Sequence, residues 1–151
     1  MRAHNRYGYC MENDFLGSHV ALFLGDKLLV ILRDDFTHIP SPNCWDMPGG
    51  TAEPGEVPLE TLLREVREEV SLELPPEAIV WSKFYPSHSQ PGHWNWFYVA
   101  RLPAETVDDV ILGDEGQRWT LMTVDEFLTV ENVVPSFPPR LREWLELNSA
   151  N

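Results

Sequence analysis

Apolar positions along this chain fall in short blocks broken by Gly, Pro and Asp, and in two longer stretches they recur at helical spacing. Ser18 to Leu24 and Lys27 to Arg33 read as two strands, with Gly25-Asp26 as the tight turn of a hairpin. Asp34 to Cys44 contains Pro40 and Pro42 and reads as a loop. Trp45 to Pro48 is a short extended piece running into Gly49-Gly50. Glu56 to Leu72 has the clearest helical period, with Pro58 where a first-turn proline is tolerated and Pro75-Pro76 ending any continuation. Ile79 to Tyr85, the aromatic-rich Trp94 to Leu102, and Arg118 to Thr123 read as strands. The loops between them are Pro86 to His93 and the Gly-flanked Leu112 to Gln117. Val124 to Leu128 starts a short helix, with Thr123 or Asp125 near its cap. Pro139 to Leu147 reads as a final amphipathic helix with Leu141, Trp144 and Leu145 on one stripe. Residues 1–17 show no period. The order predicts an α/β or α+β sandwich with a mixed sheet, with residues 1–151 forming one domain.

The central helix separates its residues by chemistry. With Glu65 at zero and about 100° per residue, Glu69 lies near +40° and Glu68 near −60°. Leu59, Leu62, Leu63, Val66 and Val70 fall in an arc from roughly 60° to 160°. One face therefore packs on the sheet, and its neighbour carries three carboxylates within a turn. Like charges at this spacing destabilise a helix by a few tenths of a kcal/mol per pair. A hard divalent cation that takes oxygen ligands reverses that cost. The same pattern also suits a solvated face, with Arg64 and Arg67 paired to Glu60 and Glu68. Upstream, Gly49-Gly50 and the loop Thr51 to Gly55 allow backbone carbonyls, carboxylates and one arginine to meet at a point.

Charge narrows the field. Asp plus Glu is 24 and Lys plus Arg is 11, a formal net charge of −13 over 151 residues. Such a surface repels nucleic-acid polymers and anionic membranes, but a small phosphate compound remains possible if bound metal inverts the local charge. No run reaches the length of a membrane span or a signal peptide. Cys10 and Cys44 read as free thiols. A cytoplasmic monomer or homodimer is expected.

Gly50, five residues, Glu56, seven residues, then Arg64-Glu65-Val66-Arg67-Glu68-Glu69-Val70-Ser71-Leu72 resembles the Nudix box, G-x5-E-x7-R-E-U-x-E-E-x-G-U, where U is bulky and aliphatic. Only the last glycine, here Ser71, departs from it. The resemblance implies the family's α/β/α sandwich and Mg²⁺-dependent hydrolysis of a diphosphate bond, with Mn²⁺ able to substitute. It implies that Glu65, Glu68 and Glu69 are metal-binding carboxylates and that the Gly49 carbonyl is a further ligand. Arg64 would orient the glutamates, Glu56 would be its partner or an outer acid, and Gly50 would be structural. Ser71 falls at the helix C-terminus, where a left-handed residue costs serine about 1 kcal/mol. Asp114-Glu115-Gly116-Gln117-Arg118-Trp119 resembles a segment of the family's antimutator branch. That makes Glu115 an extra ligand or general base, or else an acid on a surface loop. Arg33 resembles a phosphate-contacting arginine, or is a charge at a strand end.

The substrate is less legible. Trp94, Trp96 and Tyr98 share a strand face; they could stack a base or pack under the C-terminal helix. Met47 lies where a base could rest. His38, His88 and His93 sit in loops. The Glu115-Gly116-Gln117 segment favours a nucleoside triphosphate, oxidised ones included, cut to monophosphate and pyrophosphate. Against it, Val134 to Pro139 has no counterpart of that branch's base-reading asparagine. Pro86 lies about where ADP-ribose hydrolases of the family carry a proline, so ADP-ribose or a nucleotide sugar is the alternative. A nucleotide-binding module without catalysis predicts damaged carboxylates, and none is damaged. Isoprenyl diphosphate isomerisation would need a cysteine such as Cys44.

Overall fold

The computed structural model describes residues 15–87 and 89–149. The expectations for residues 1–14, Cys10 and His88 therefore lie outside the described residues. Strands run β1 (Phe15–Leu24), β2 (Lys27–Leu32), β3 (Trp45–Asp46), β4 (Gly49–Thr51), β5 (Ile79–Pro86), β6 (Trp94–Leu102) and β7 (Arg118–Met122). Helices are α1 (Pro58–Val70), α2 (Val124–Thr129) and α3 (Phe137–Ser149). One mixed sheet has the order β3-β2-β1-β6-β5, with β4 on β1 and β7 on β2. The central pair, β1 and β6, is parallel, and the other pairs are antiparallel. Strand β1 begins three residues before Ser18, inside the stretch that lacks a visible period.

Alternation along the strands feeds two cores. On one face, Val20, Leu22, Leu29, Ile31, Tyr98 and Ala100 meet Leu62, Val66 and Val70 of α1. On the other, Phe23, Val30, Met47, Phe97 and Val99 meet Phe127 of α2 and Phe137, Leu141 and Trp144 of α3. The layers are thus helix, sheet, helix. Leu62, Val66 and Val70 are wholly buried, each contributing about 1.5–3 kcal/mol of apolar burial. That burial fixes the rotation of α1 about its axis, and with it the direction of the acidic face.

Helix α1 is shorter than its periodic stretch. Pro58 occupies its first turn, and the Glu60 side chain accepts from the Val57 N–H at 3.0 Å. The helix ends where Ser71 turns left-handed at φ 62°. For α2, Thr123 is the cap: its hydroxyl accepts from the Glu126 N–H, and Asp125 lies inside the first turn. Helix α3 starts at Phe137, two residues earlier than the stripe suggested, because the first turn tolerates prolines. Trp96 and Tyr98 pack with the α1 core and not under the C-terminal helix. The alternation of β6 puts Phe97 and Val99 there instead.

Candidate active site

A cleft of about 880 Å³ opens along β1, β4 and the first turn of α3. Glu65, Glu69 and Glu115 line one part of it, with Gly49, Gly50 and Arg33 beside them. A second hollow of about 310 Å³ is walled by Glu65, Glu68, Glu69, Asp114 and Glu115.

Arg64 organises this region. Its guanidinium donates to both oxygens of Glu56 (2.7 and 3.0 Å), to Glu65 (2.9 Å), to Glu68 (3.1 Å) and to the Thr51 carbonyl (2.9 Å). One planar fork thus ties α1 to the loop that precedes it. Glu56 is locked further by the Thr61 hydroxyl and the Glu53 N–H. The Arg64 guanidinium holds the Glu56 carboxyl down at about 2, and Arg64 itself is pushed up by Glu56. Gly50 sits against the second carboxylate: a Cβ there would stand 2.5 Å from the Glu65 carboxyl carbon. Any side chain at residue 50 would therefore displace Glu65.

Glu69 is held differently. It accepts from the Gly49 N–H at 2.7 Å and has no cationic partner among the described residues. Burial pushes its carboxyl up to about 9, with Asp46, Glu65 and Glu115 adding to the rise. Burial also raises Glu65, against the pull of Arg64 and with Glu68 and Glu115 adding to the rise. The β4–β1 pairing runs through Val20 N–H to the Pro48 carbonyl and Ala52 N–H to the Leu16 carbonyl. By the alternation of an antiparallel ladder, Gly49 then turns its own amide and carbonyl away from β1. Its carbonyl is free to act as a ligand on the same side as Glu69.

Glu115 arrives on a loop stitched to the end of α1. The Ile111 N–H donates to the Val70 carbonyl and the Gly113 N–H to the Glu69 carbonyl. The Ser71 hydroxyl donates to the Ile111 carbonyl at 3.0 Å. These bonds satisfy carbonyls that a helix end leaves open, and Ser71 adds an anchor that glycine lacks. The Gly116 N–H donates to Asp34, and the Gln117 side chain to the Arg33 carbonyl and to Asn43.

The donor set is all oxygen, clustered, and short of positive charge, which suits a hard divalent cation. Among the described residues no three acidic, His or Cys side chains form a ready-made cage.

Other expected residues go elsewhere. Arg33 lines the cleft, but its guanidinium donates to Asp46 (3.0 Å) and the Pro40 carbonyl (3.0 Å). Met47 is 0% exposed and belongs to the α2–α3 core, so it presents nothing to a base. Trp94 and Trp96 pack edge-on to Phe84 and are not among the residues that line the cleft. Asn95, between them, is the residue that lines it. Cys44 is not among the lining residues. Sequence reasoning missed Asp46, His19, Asn95, Ser136, Phe137 and Arg140, all of which line the cleft. Arg140 had a legible sign: it interrupts the apolar spacing of Phe137, Leu141 and Trp144. Burial lowers the His19 pKa, with Arg140 and Arg33 adding to the fall and Asp46 opposing it.

The model of the NUDIX domain matches residues 16–147. Among curated proteins, the m7GpppN-mRNA hydrolase NUDT17 of Bos taurus is 41% identical over 87 residues, 58% of this chain. The chain spans about a quarter (26%) of that relative's length. A MutT protein from Methanosarcina mazei Go1 superposes with TM-score 0.72 at 19% identity, covering 89% of this chain and 96% of that one. An Ap4A hydrolase from C. elegans gives 0.67 at 18% identity, covering 89% and 99%. The bifunctional NMN adenylyltransferase/ADP ribose pyrophosphatase of Francisella tularensis gives 0.70 at 16% identity, covering 88% and 41%. At these identities the structural likeness concerns the fold.

Proposed function

The chain belongs to the Nudix family, and on that premise we propose that it hydrolyses a diphosphate bond in a nucleoside diphosphate linked to another group, with Mg²⁺ or Mn²⁺ as cofactor. The observation that carries this reading is Glu69, buried without a counter-charge on the cleft wall beside Glu65 and Glu115. A bound divalent cation supplies charge neutralisation at the phosphate oxygens and makes water a stronger nucleophile at neutral pH.

Glu65, Glu68, Glu69, Glu115 and the Gly49 carbonyl would hold the metal. Arg64 keeps Glu65 and Glu68 at fixed positions, so that no reorganisation is needed when substrate arrives. Arg33, fixed by Asp46, takes a substrate phosphate at the cleft wall. One carboxylate of the cluster accepts the proton of the attacking water. The products are a nucleoside monophosphate and the phosphorylated remainder, which is pyrophosphate when the substrate is a nucleoside triphosphate. The triphosphate stands first because the loop carrying Glu115 and Gln117 borders the cleft. A second reading, a 5′-cap structure, is favoured by the 41% identity with the bovine cap hydrolase. With a net charge of −13 this chain makes little use of the RNA beyond the cap. A cytoplasmic location fits the acidic surface and the unpaired Cys44.

The test is a panel of nucleoside triphosphates, oxidised nucleotides, ADP-ribose, dinucleoside polyphosphates, nucleotide sugars and a free cap dinucleotide, each with Mg²⁺ and with Mn²⁺. Product release from at least one member is expected. Silence across the panel with both metals refutes hydrolysis and leaves a nucleotide-binding module.

A further inference from the structure

Besides its carboxylates, the cleft has a wall at the start of α3, formed by Val134, Pro135, Ser136, Phe137 and Arg140. Arg140 is only 5% exposed, yet among the described residues its guanidinium has neither a carboxylate nor a hydrogen-bond partner. Its guanidinium carbon stands over two rings, 4.8 Å from the centre of Tyr85 and 6.0 Å from that of Phe137. Glu143, on the same helix, is engaged by Lys83 and the Tyr85 hydroxyl. Asp46 is engaged by Arg33. A desolvated charge without a counter-charge is costly, and a structural arginine would be paired.

A second observation is independent of the first. Arg140 stands in the first turn of α3, whose positive end faces the cleft through Ser136 and Phe137. That turn holds no acidic residue. Pro138 and Pro139 have no N–H to offer, so the guanidinium supplies the donors that the helix end lacks. The Ser136 hydroxyl is also without a hydrogen bond among the described residues. A guanidinium fork and a hydroxyl beside the positive end of a helix are the parts of an oxyanion site, with the guanidinium supplying the N–H groups, since the Phe137 N–H already donates to the Val134 carbonyl.

We propose that this end of the cleft binds an oxyanion, a phosphate or carboxylate that the substrate carries apart from the diphosphate that is cut, and that Arg140 is its specificity-determining partner. The proposal takes its link to catalysis from the hydrolase reading above; the anion site itself stands without it. A neutral ring at this end would leave the guanidinium uncompensated, whereas an oxyanion cancels the charge and accepts two N–H bonds at once.

Two matched pairs separate the sources of the oxyanion. NADPH and NADH differ by one ribose phosphate, and UDP-glucuronate and UDP-glucose by one carboxylate. With Mg²⁺, wild-type protein should favour the charged member of at least one pair by tenfold or more in kcat/KM, mainly through KM. Arg140→Met should bring that ratio near one, and Arg140→Lys should keep part of it. A binding arm without divalent metal uses calorimetry with AMP and adenosine. AMP should bind at least tenfold more tightly to wild type, and the difference should vanish in Arg140→Met. Circular dichroism melts of both variants establish that they are folded. Equal kcat/KM within both pairs, a preference that survives Arg140→Met, or AMP binding that is unchanged by it overturns the proposal. If no compound is hydrolysed while the Arg140-dependent AMP binding is present, the oxyanion site stands and the hydrolase reading falls.

Discussion

At the scale of single residues, Glu69 and Glu56 titrate in opposite directions for opposite reasons. Burial without a cationic partner among the described residues raises Glu69 to about 9, against the pull of the Gly49 N–H. Its contribution to stability is therefore complete below about pH 4.5, its ordinary value, and is lost as pH climbs toward 9. Metal-free protein should melt lower at pH 8 than at pH 6, and Glu69→Gln should remove part of that fall while lowering turnover by several orders of magnitude. Thermal melts at the two pH values, alongside kcat, check both halves; a variant that melts lower than wild type at pH 8 would contradict the account. Arg64 holds Glu56 at about 2, so the pair stabilises the fold above about pH 4.5 and loses that effect as pH falls to 2. Glu56→Gln should flatten the acid limb of a pH–Tm curve in this window. Glu65→Gln should lower kcat as severely as Glu69→Gln, and near-wild-type rates in both would end the metal-carboxylate mechanism.

At the scale of elements, the site depends on how α1 begins and ends. Gly50→Ala places a methyl carbon against the Glu65 carboxyl (2.5 Å to its carbon in the present geometry). We expect a loss of at least a hundredfold in kcat/KM with the fold retained, read by kinetics and circular dichroism. At the other end, Ser71→Ala removes the hydroxyl bond to Ile111 but keeps the left-handed strain. It should cost about 1 kcal/mol in urea unfolding, while Ser71→Gly relieves strain and loses the same bond, for a smaller net change. The helix, its apolar stripe and its acidic face were legible because they are local and periodic. Which way the aromatic strand faced was not. Alternation says that Trp94, Trp96 and Tyr98 share a side, but only the parallel pairing with β1 decides which side that is. Trp96 and Tyr98 consequently went to the α1 layer, and Asn95 to the cleft.

At the scale of the molecule, a sandwich with a mixed sheet was foreseeable from the order of elements and its three layers from the family resemblance, and the match of the NUDIX domain to residues 16–147 agrees. The cleft was only half foreseeable. Its acidic end is built from one contiguous segment with a loop laid over it. Its other end combines β1, the residues before α3 and the first turn of α3, which no local pattern joins. The acidic end also links metal to stability. Mg²⁺ should raise Tm, more so at pH 8 than at pH 6, because it offsets the carboxylate repulsion that grows with pH. A melting temperature indifferent to millimolar Mg²⁺ and Mn²⁺ at both pH values would contradict that link.

The parallel pairing at the centre of the sheet also has a consequence in time. Val20 lies beside Tyr98, 98 − 20 = 78 positions later. Closing so long a loop is slow, and the return on it comes only when the strands meet. As the chain leaves the ribosome, the β1–β2 hairpin and α1 are complete well before β6 exists. Until then the apolar stripe of α1 has half a sheet to lie on, and its glutamates face each other with Arg64 but without the Glu115 loop. The nascent chain thus lacks a closed site until its middle strands pair, and a chain stopped before Trp94 should be a protease substrate.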